Sequence, residues 1–136
     1  MELIKTKADI DYLDEVTEFI DGQLEEAGCS MEVILSVELS VEEVFTNVAS
    51  YAYCDGEGEV EITFEKVSDP DRIRIEISDN GLEFDPLKRP DPDISETMKN
   101  DNVGGLGIYV VKNQMDTVTY RYENERNILT MEKAIN

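Results

Sequence analysis

Apolar residues recur along this chain with two periods, and the changes of period divide it into elements. From Asp9 to Ala27 the apolar positions are Ile10, Leu13, Val16, Ile20 and Leu24. Steps of three and four place them in one stripe of a helix. Gly28 stands where such a helix should stop. Ser30 reads as the N-cap of a second helix running to about Tyr53; with Val33 at its third position, no capping box forms. That helix carries Ile34, Val37, Val41, Val44, Phe45, Val48 and Ala52. So wide an apolar face predicts deep burial. Asp55-Gly56-Glu57-Gly58 breaks it.

The period then falls to two. Val60, Ile62 and Phe64 alternate with polar residues, and so do Ile73, Ile75 and Ile77. Ser68-Asp69-Pro70-Asp71 between them is turn chemistry, so the two strands make a hairpin. Leu3-Ile4 predicts a short edge strand near the start. After Asp79-Asn80-Gly81 a polar stretch with Pro86, Pro90 and Pro92 runs to Val103. A loop that long in a compact domain is a functional lid or is disordered. Gly104-Gly105-Leu106-Gly107 opens a short helix with Ile108, Val111 and Met115 inward. Val118, Tyr120 and Tyr122, then Leu129 and Met131, give a last strand pair joined through Glu123–Arg126. The order is β, α, α, β, β, lid, α, β, β. Intermixed helices and hairpins predict an α/β chain of the α+β two-layer kind, a mixed sheet with helices on one face. The 136 residues suit one domain, 1–136, with the lid at about 83–103.

Charge narrows the function. Lys and Arg number 12 against 32 Asp and Glu, a net −20. Such a surface is repelled by nucleic-acid backbones and anionic membranes, so neither is expected as a partner. It favours a protein partner with a basic or apolar contact face. A phosphate-bearing ligand would need a divalent cation and backbone donors to offset the charge. The chain has no histidine, which removes His-based catalysis and zinc sites. Cys29 and Cys54 lack metal-ligand spacing and read as two free buried thiols, with a single disulfide as the alternative. The first residues lack a signal-peptide run and no stretch is long enough to span a bilayer, so a cytoplasmic protein is expected.

Three short patterns carry candidate chemistry. Glu43 and Asn47 are four apart and share a helix face. The carboxylate could polarise an attacking hydroxyl and the amide oxygen could ligate Mg²⁺. With Glu38 and Glu42 nearby, the pair also reads as a solvated acidic face. Asp79 ends a strand and could accept from an exocyclic amine such as that of adenine. Gly81 beside it permits positive φ and the close approach of a flat ligand. Asp-Asn-Gly is equally an ordinary turn. Gly104, Gly105 and Gly107, around Leu106, could turn backbone N–H groups toward a phosphate at a helix N-terminus. A flexible loop before a helix fits the same residues, and the pattern is not a Walker loop.

In this order, with a lid between the second and third, the patterns resemble the GHKL ATPase superfamily, whose domain has the Bergerat ATP-binding fold. The resemblance is closest to bacterial anti-sigma-factor serine/threonine kinases. It is carried by Glu42-Glu43-Val44-Phe45-Thr46-Asn47, Asp79-x-Gly81, Phe84-Asp85-Pro86-Leu87 and Gly104-Gly105-Leu106-Gly107-Ile108-Tyr109. It continues through Gln114-Met115-Asp116 and Asn127-Ile128-Leu129-Thr130-Met131-Glu132-Lys133, nearly the whole chain. The resemblance implies ATP and Mg²⁺ as ligands and phosphorylation of a serine on a small anti-anti-sigma STAS-domain protein. It also implies sequestration of a sigma factor and a homodimer. By motif match Glu43 would be the catalytic base, Asn47 the Mg²⁺ ligand and Asp79 the adenine contact. Gly81 would lie beside the base, and Gly104, Gly105, Leu106 and Gly107 against the phosphates.

Two residues depart from the family pattern. Glu83 stands where Asp-x-Gly-x-Gly would have its second glycine. Ser50 stands where many relatives carry a basic residue. Lys88, Arg89 and Lys99 in the lid could supply replacement charge. Both departures bear on activity more than on fold, and they keep open a non-catalytic ATP-binding module that switches partners. A degenerate interaction domain and a histidine-kinase catalytic domain acting in trans are the remaining alternatives.

Overall fold

The computed structural model describes residues 1–51, 58–88 and 106–135. Five strands form one sheet: β1 (Glu2–Lys7), β2 (Glu59–Val67), β3 (Arg72–Asp79), β4 (Thr117–Glu123) and β5 (Arg126–Ala134). The helices are α1 (Leu13–Glu26), α2 (Met31–Tyr51) and α3 (Leu106–Gln114). The strand order is β1-β2-β3-β5-β4. The expected two-layer α+β arrangement is present.

The sheet is antiparallel at every described pairing, not mixed as expected. The connection between β3 and β4 does leave those two strands running the same way. β5, however, folds back as a hairpin from β4 and inserts between them. The parallel pair therefore never becomes a hydrogen-bonded pair. The β4–β5 turn needs two residues, Asn124 and Glu125, both at positive φ (53° and 63°), as a twist-matched two-residue hairpin requires.

Helix boundaries follow their capping chemistry. Gly28 has φ 80°, and its N–H and that of Cys29 donate back to Glu25 and Leu24 carbonyls at 3.1 and 3.2 Å. This is the left-handed glycine stop of a helix. Ser30 Oγ accepts from the Val33 N–H at 3.3 Å, the expected N-cap bond. The first expected helix starts later than Asp9. Ile10–Tyr12 is a 3-10 turn capped by Asp9, which accepts from the Asp11 N–H at 2.9 Å. Three residues per turn rotate Ile10 off the α1 stripe, so it is 49% exposed while Val16, Ile20 and Leu24 are sealed. Cys29 is free and half-buried rather than buried, and burial pushes its thiol up. Cys54 lies outside the described residues.

The core lies between the helices and one sheet face. Strict alternation sends Val60, Ile62, Phe64, Ile73, Ile75, Ile77, Leu129 and Met131 into it, opposite Val37, Val41 and Phe45 of α2. Register turns these into rows: Phe64–Ile75–Met131 and Ile62–Ile77–Leu129. The other sheet face is polar, with Glu132 paired to both Arg72 and Arg74 and Arg126 paired to Glu61. Hydrogen bonding from Arg72 holds the Glu132 carboxyl below its usual range.

Where α1 meets α2, hydrogen bonding with Asp21, burial and the Asp21 charge push the Glu38 carboxyl up to about 7 from an ordinary 4.5. A raised folded-state value means that the proton favours the fold. The contribution is complete below the ordinary carboxyl range and is lost as pH rises through about 7. Melting temperatures of the parent should therefore fall with rising pH more steeply than those of Glu38→Gln, across about pH 5 to 8. Parallel curves for the two proteins would contradict this pairing.

Candidate functional site

The alternation that fills the core continues one step past its apolar residues. Asp79 follows Ile73, Ile75 and Ile77 on β3; Asn127 precedes Leu129 and Met131 on β5. Both therefore point to the core side, and register sets them opposite each other. They are 4% and 7% exposed. Burying such groups costs several kcal/mol unless they are hydrogen-bonded.

Asn127 supplies those bonds. Its Nδ2 donates to Asp79 Oδ1 at 3.0 Å and to the Leu82 carbonyl at 2.8 Å. Its Oδ1 accepts from the Tyr120 hydroxyl at 2.6 Å and from the Phe84 N–H at 3.0 Å. Asp79 Oδ1 also accepts from the Gly81 N–H at 2.9 Å. One carboxamide thus ties β3, β4, β5 and the loop after β3 together. Asn127 stands within the quoted motifs, yet the sequence reading gives it no role. The signal was the period of two: Asn127 occupies an inward strand position, where a polar residue needs a reason.

Above this polar floor is a small cavity of about 40 Å³ that opens outward into a wider mouth. Val44, Asn47 and Val48 of α2 line one side, and Ile77 and Leu129 of the sheet another. Leu82, Phe84 and Pro86 form a rim with Ile108 and Tyr120. The slot is mostly apolar, with a buried carboxylate and a carboxamide at its base. That suits a flat, amine-bearing ring: the described bonds to Asp79 use Oδ1, and a carboxylate has a second acceptor oxygen.

At the cavity edge α2 meets α3. Glu43 is half-buried one turn before Asn47, and Gly107 adjoins Ile108. A Cβ built on Gly107 would come within 2.7 Å of Glu43 Oε2. The carboxylate occupies the space that any other residue at 107 would fill. Ser36 of α2 also donates to Gln114 of α3 at 2.8 Å, which ties the two helices together about two turns along from this contact. The structure thus brings Asn47 and Asp79 around one cavity, ties Gly81 to Asp79 without lining that cavity, and puts Glu43 and Gly107 against each other next to its lining residue Ile108. Leu106 opens α3. Gly104 and Gly105, with Arg89 and Lys99 and most of the expected lid, lie outside the described residues.

The described part of that lid, residues 83–88, packs on the sheet. Pro86 is buried, and the Leu87 N–H donates to Asp85 Oδ1 at 2.8 Å. Glu83 and Ser50 are exposed. Burial pushes the Tyr120 phenol up; its bond with the Phe84 backbone lowers it, and the charges of Glu83, Asp85 and Asp79 raise it further. The mouth is therefore negative, and a phosphate entering it needs a cation. Among the described residues no cluster of acidic, Cys or His side chains could hold a metal by itself, and no helix is long and apolar enough to cross a membrane.

Comparison with known proteins places this geometry. The histidine kinase-like ATPase domain family matches residues 6–133. The chain is 32% identical over 121 residues to a serine-protein kinase RsbW of Listeria monocytogenes, covering 86% of this chain and 76% of that protein. It is 30% identical over 139 residues to a serine-protein kinase RsbW of Staphylococcus aureus, covering 97% and 85%. Among solved structures, the RsbU and RsbW domains of Rv1364c from Mycobacterium tuberculosis superpose with a TM-score of 0.66 at 13% identity. That match covers 99% of this chain and a third (33%) of the other. A histidine kinase domain from Erythrobacter litoralis gives 0.59 at 15% identity, covering 92% and 60%. These two likenesses speak for the fold.

Asn127→Ala should cost about 2–3 kcal/mol, because it strips partners from buried Asp79 and from the loop carbonyl and N–H. Denaturant unfolding measures it. A loss under about 0.5 kcal/mol, the range of an ordinary surface change, would show that the carboxamide is not a hub.

Proposed function

The chain belongs to the histidine kinase-like ATPase family and is kin to its serine-protein kinases, and from that premise we propose that it transfers the γ-phosphoryl group of ATP to a serine of an anti-anti-sigma STAS-domain protein. In this reading it acts as an anti-sigma-factor-type regulator in the cytoplasm, sequestering a sigma factor when the STAS protein is phosphorylated. The observation that carries the proposal is the joining of two features at one cavity. One is an apolar slot floored by a buried Asp79; the other is a carboxylate, Glu43, seated against Gly107, the neighbour of the lining residue Ile108 and one turn before the lining residue Asn47.

Adenine would enter between Val48 and Leu129, with Asp79 accepting its exocyclic amine. Guanine presents a carbonyl at that position and would be repelled. Asn47 would hold Mg²⁺ through its side-chain oxygen; when bound, the ion offsets phosphate charge in an otherwise negative mouth. Gly104, Gly105, Leu106 and Gly107 would bring backbone N–H groups to the phosphates, and residues 83–103 would close as a lid. Glu43 would accept the serine proton as the serine oxygen bonds to the γ-phosphorus. The bond from that phosphorus to the β–γ bridging oxygen breaks, and ADP leaves. Gly107 leaves room for Glu43 to stand there. A homodimer through β1 fits the reading, since β1 is an edge strand of the described sheet.

A second reading, a non-catalytic ATP-binding module that switches partners, is favoured by exposed Glu83 near the mouth and by Ser50 in place of a basic residue. Incubation with γ-labelled ATP and a purified STAS protein separates the two. Glu43→Gln should lower label transfer by about 10²–10⁴-fold while the Mg-ATP shift in melting temperature persists. Gly107→Ala should lower transfer by a smaller factor at near-parental stability, because the flexible end of Glu43 must shift to clear its Cβ. Transfer at the parental rate in Glu43→Gln would remove Glu43 as the base. A parental melting shift with no transfer would favour the binding module.

A further inference from the structure

Helix α2 has a second face that the nucleotide cavity does not use. Met31, Leu35 and Leu39 are four residues apart and stand one above another. They are 69%, 57% and 39% exposed. The inward side of α2 is already filled by Val37, Val41 and Phe45, so the row faces away from the core. The solvent side of such a helix is normally polar. A continuous apolar row there marks a contact surface rather than scattered exposure.

Charge identifies the occupant. Between Lys7 and Lys66 the chain has no Lys or Arg, and every charged residue of α1 and α2 is acidic. Exposed Glu32 and Glu42 border the row. Most described basic side chains sit on the sheet strands instead, where Arg72, Arg74, Arg121 and Arg126 are held in ion pairs. A second copy of this chain brought to the row would set carboxylates against carboxylates. An anionic membrane would meet the same repulsion.

We propose that the outer face of α2 docks a basic amphipathic helix of a partner protein. Apolar residues of that helix, spaced three and four apart, pack on Met31, Leu35 and Leu39. Its flanking Lys or Arg residues pair with Glu32 and Glu42. The row is about 12 Å long, which matches roughly two turns of the incoming helix. Val44 and Val48 lie on another side of α2, the row stops at Leu39, one turn short of Glu43, and none of its three residues lines the nucleotide cavity, so this surface stands whether or not the nucleotide reading does.

The test uses the whole protein and a labelled peptide helix of Leu and Lys with its leucines on one face. A scrambled peptide of the same composition is the control. Fluorescence anisotropy should show the patterned peptide binding at least about tenfold tighter than the scrambled one. The double change Leu35→Ser, Leu39→Ser should erase that difference with the Mg-ATP melting shift unchanged. Glu42→Lys, a surface change that leaves the apolar row intact, should also weaken the patterned peptide and decides the matter if the double variant does not fold. Amide shifts on the labelled protein should centre on residues 31–42. Equal binding of both peptides, or parental binding by the folded variants, would reduce the effect to diffuse charge attraction and overturn the proposal. So would sedimentation showing that these leucines hold a homodimer, or their capture by anionic vesicles.

Discussion

Asp79 and Asn127 face each other on the side of the sheet otherwise filled with aliphatic side chains, and the site depends on that pair. Each would be costly to bury alone. Together they satisfy one another, and the remaining capacity of Asn127 is spent on Leu82, Phe84 and Tyr120. The pair therefore ends the hydrophobic rows without collapsing them. It anchors the loop after β3 to β5 and leaves a slot between sheet and α2. An apolar pair at these positions would extend the core and close the slot; an unpaired polar one would destabilise it.

The second constraint is the approach of α2 to α3. Only glycine at 107 leaves Glu43 Oε2 where it stands. The steric rule and the proposed chemistry therefore share one contact. The helix that presents Glu43 and Asn47 to the cavity also presents Met31, Leu35 and Leu39 to solvent. One ridge of that element carries the proposed docking row and, from one turn beyond Leu39, the proposed catalytic side chains.

Much of this was legible in the sequence because it rests on local rules. Period-two alternation gave β2, β3 and β5 and their inward residues, and Gly28 and Ser30 marked helix ends by their capping chemistry. What was not legible depends on register and packing. The insertion of β5 between β3 and β4 makes the sheet antiparallel, and nothing local to either strand announces it. The role of Asn127 needs its partner 48 residues away in sequence. Ile10 fits the α1 stripe on a helical period and leaves it because the first turn winds as 3-10. The nearness of Gly107 to Glu43 likewise appears only when two helices pack.

The account stands or falls on Asp79 as the base-recognising group of the cavity. Calorimetric titration of Mg-ATP and Mg-GTP into the parent and into Asp79→Asn tests it directly. The parent should prefer ATP by at least about tenfold, and the folded variant should lose both that preference and about tenfold or more in ATP affinity. A folded Asp79→Asn protein that binds ATP with parental affinity and selectivity would contradict the account.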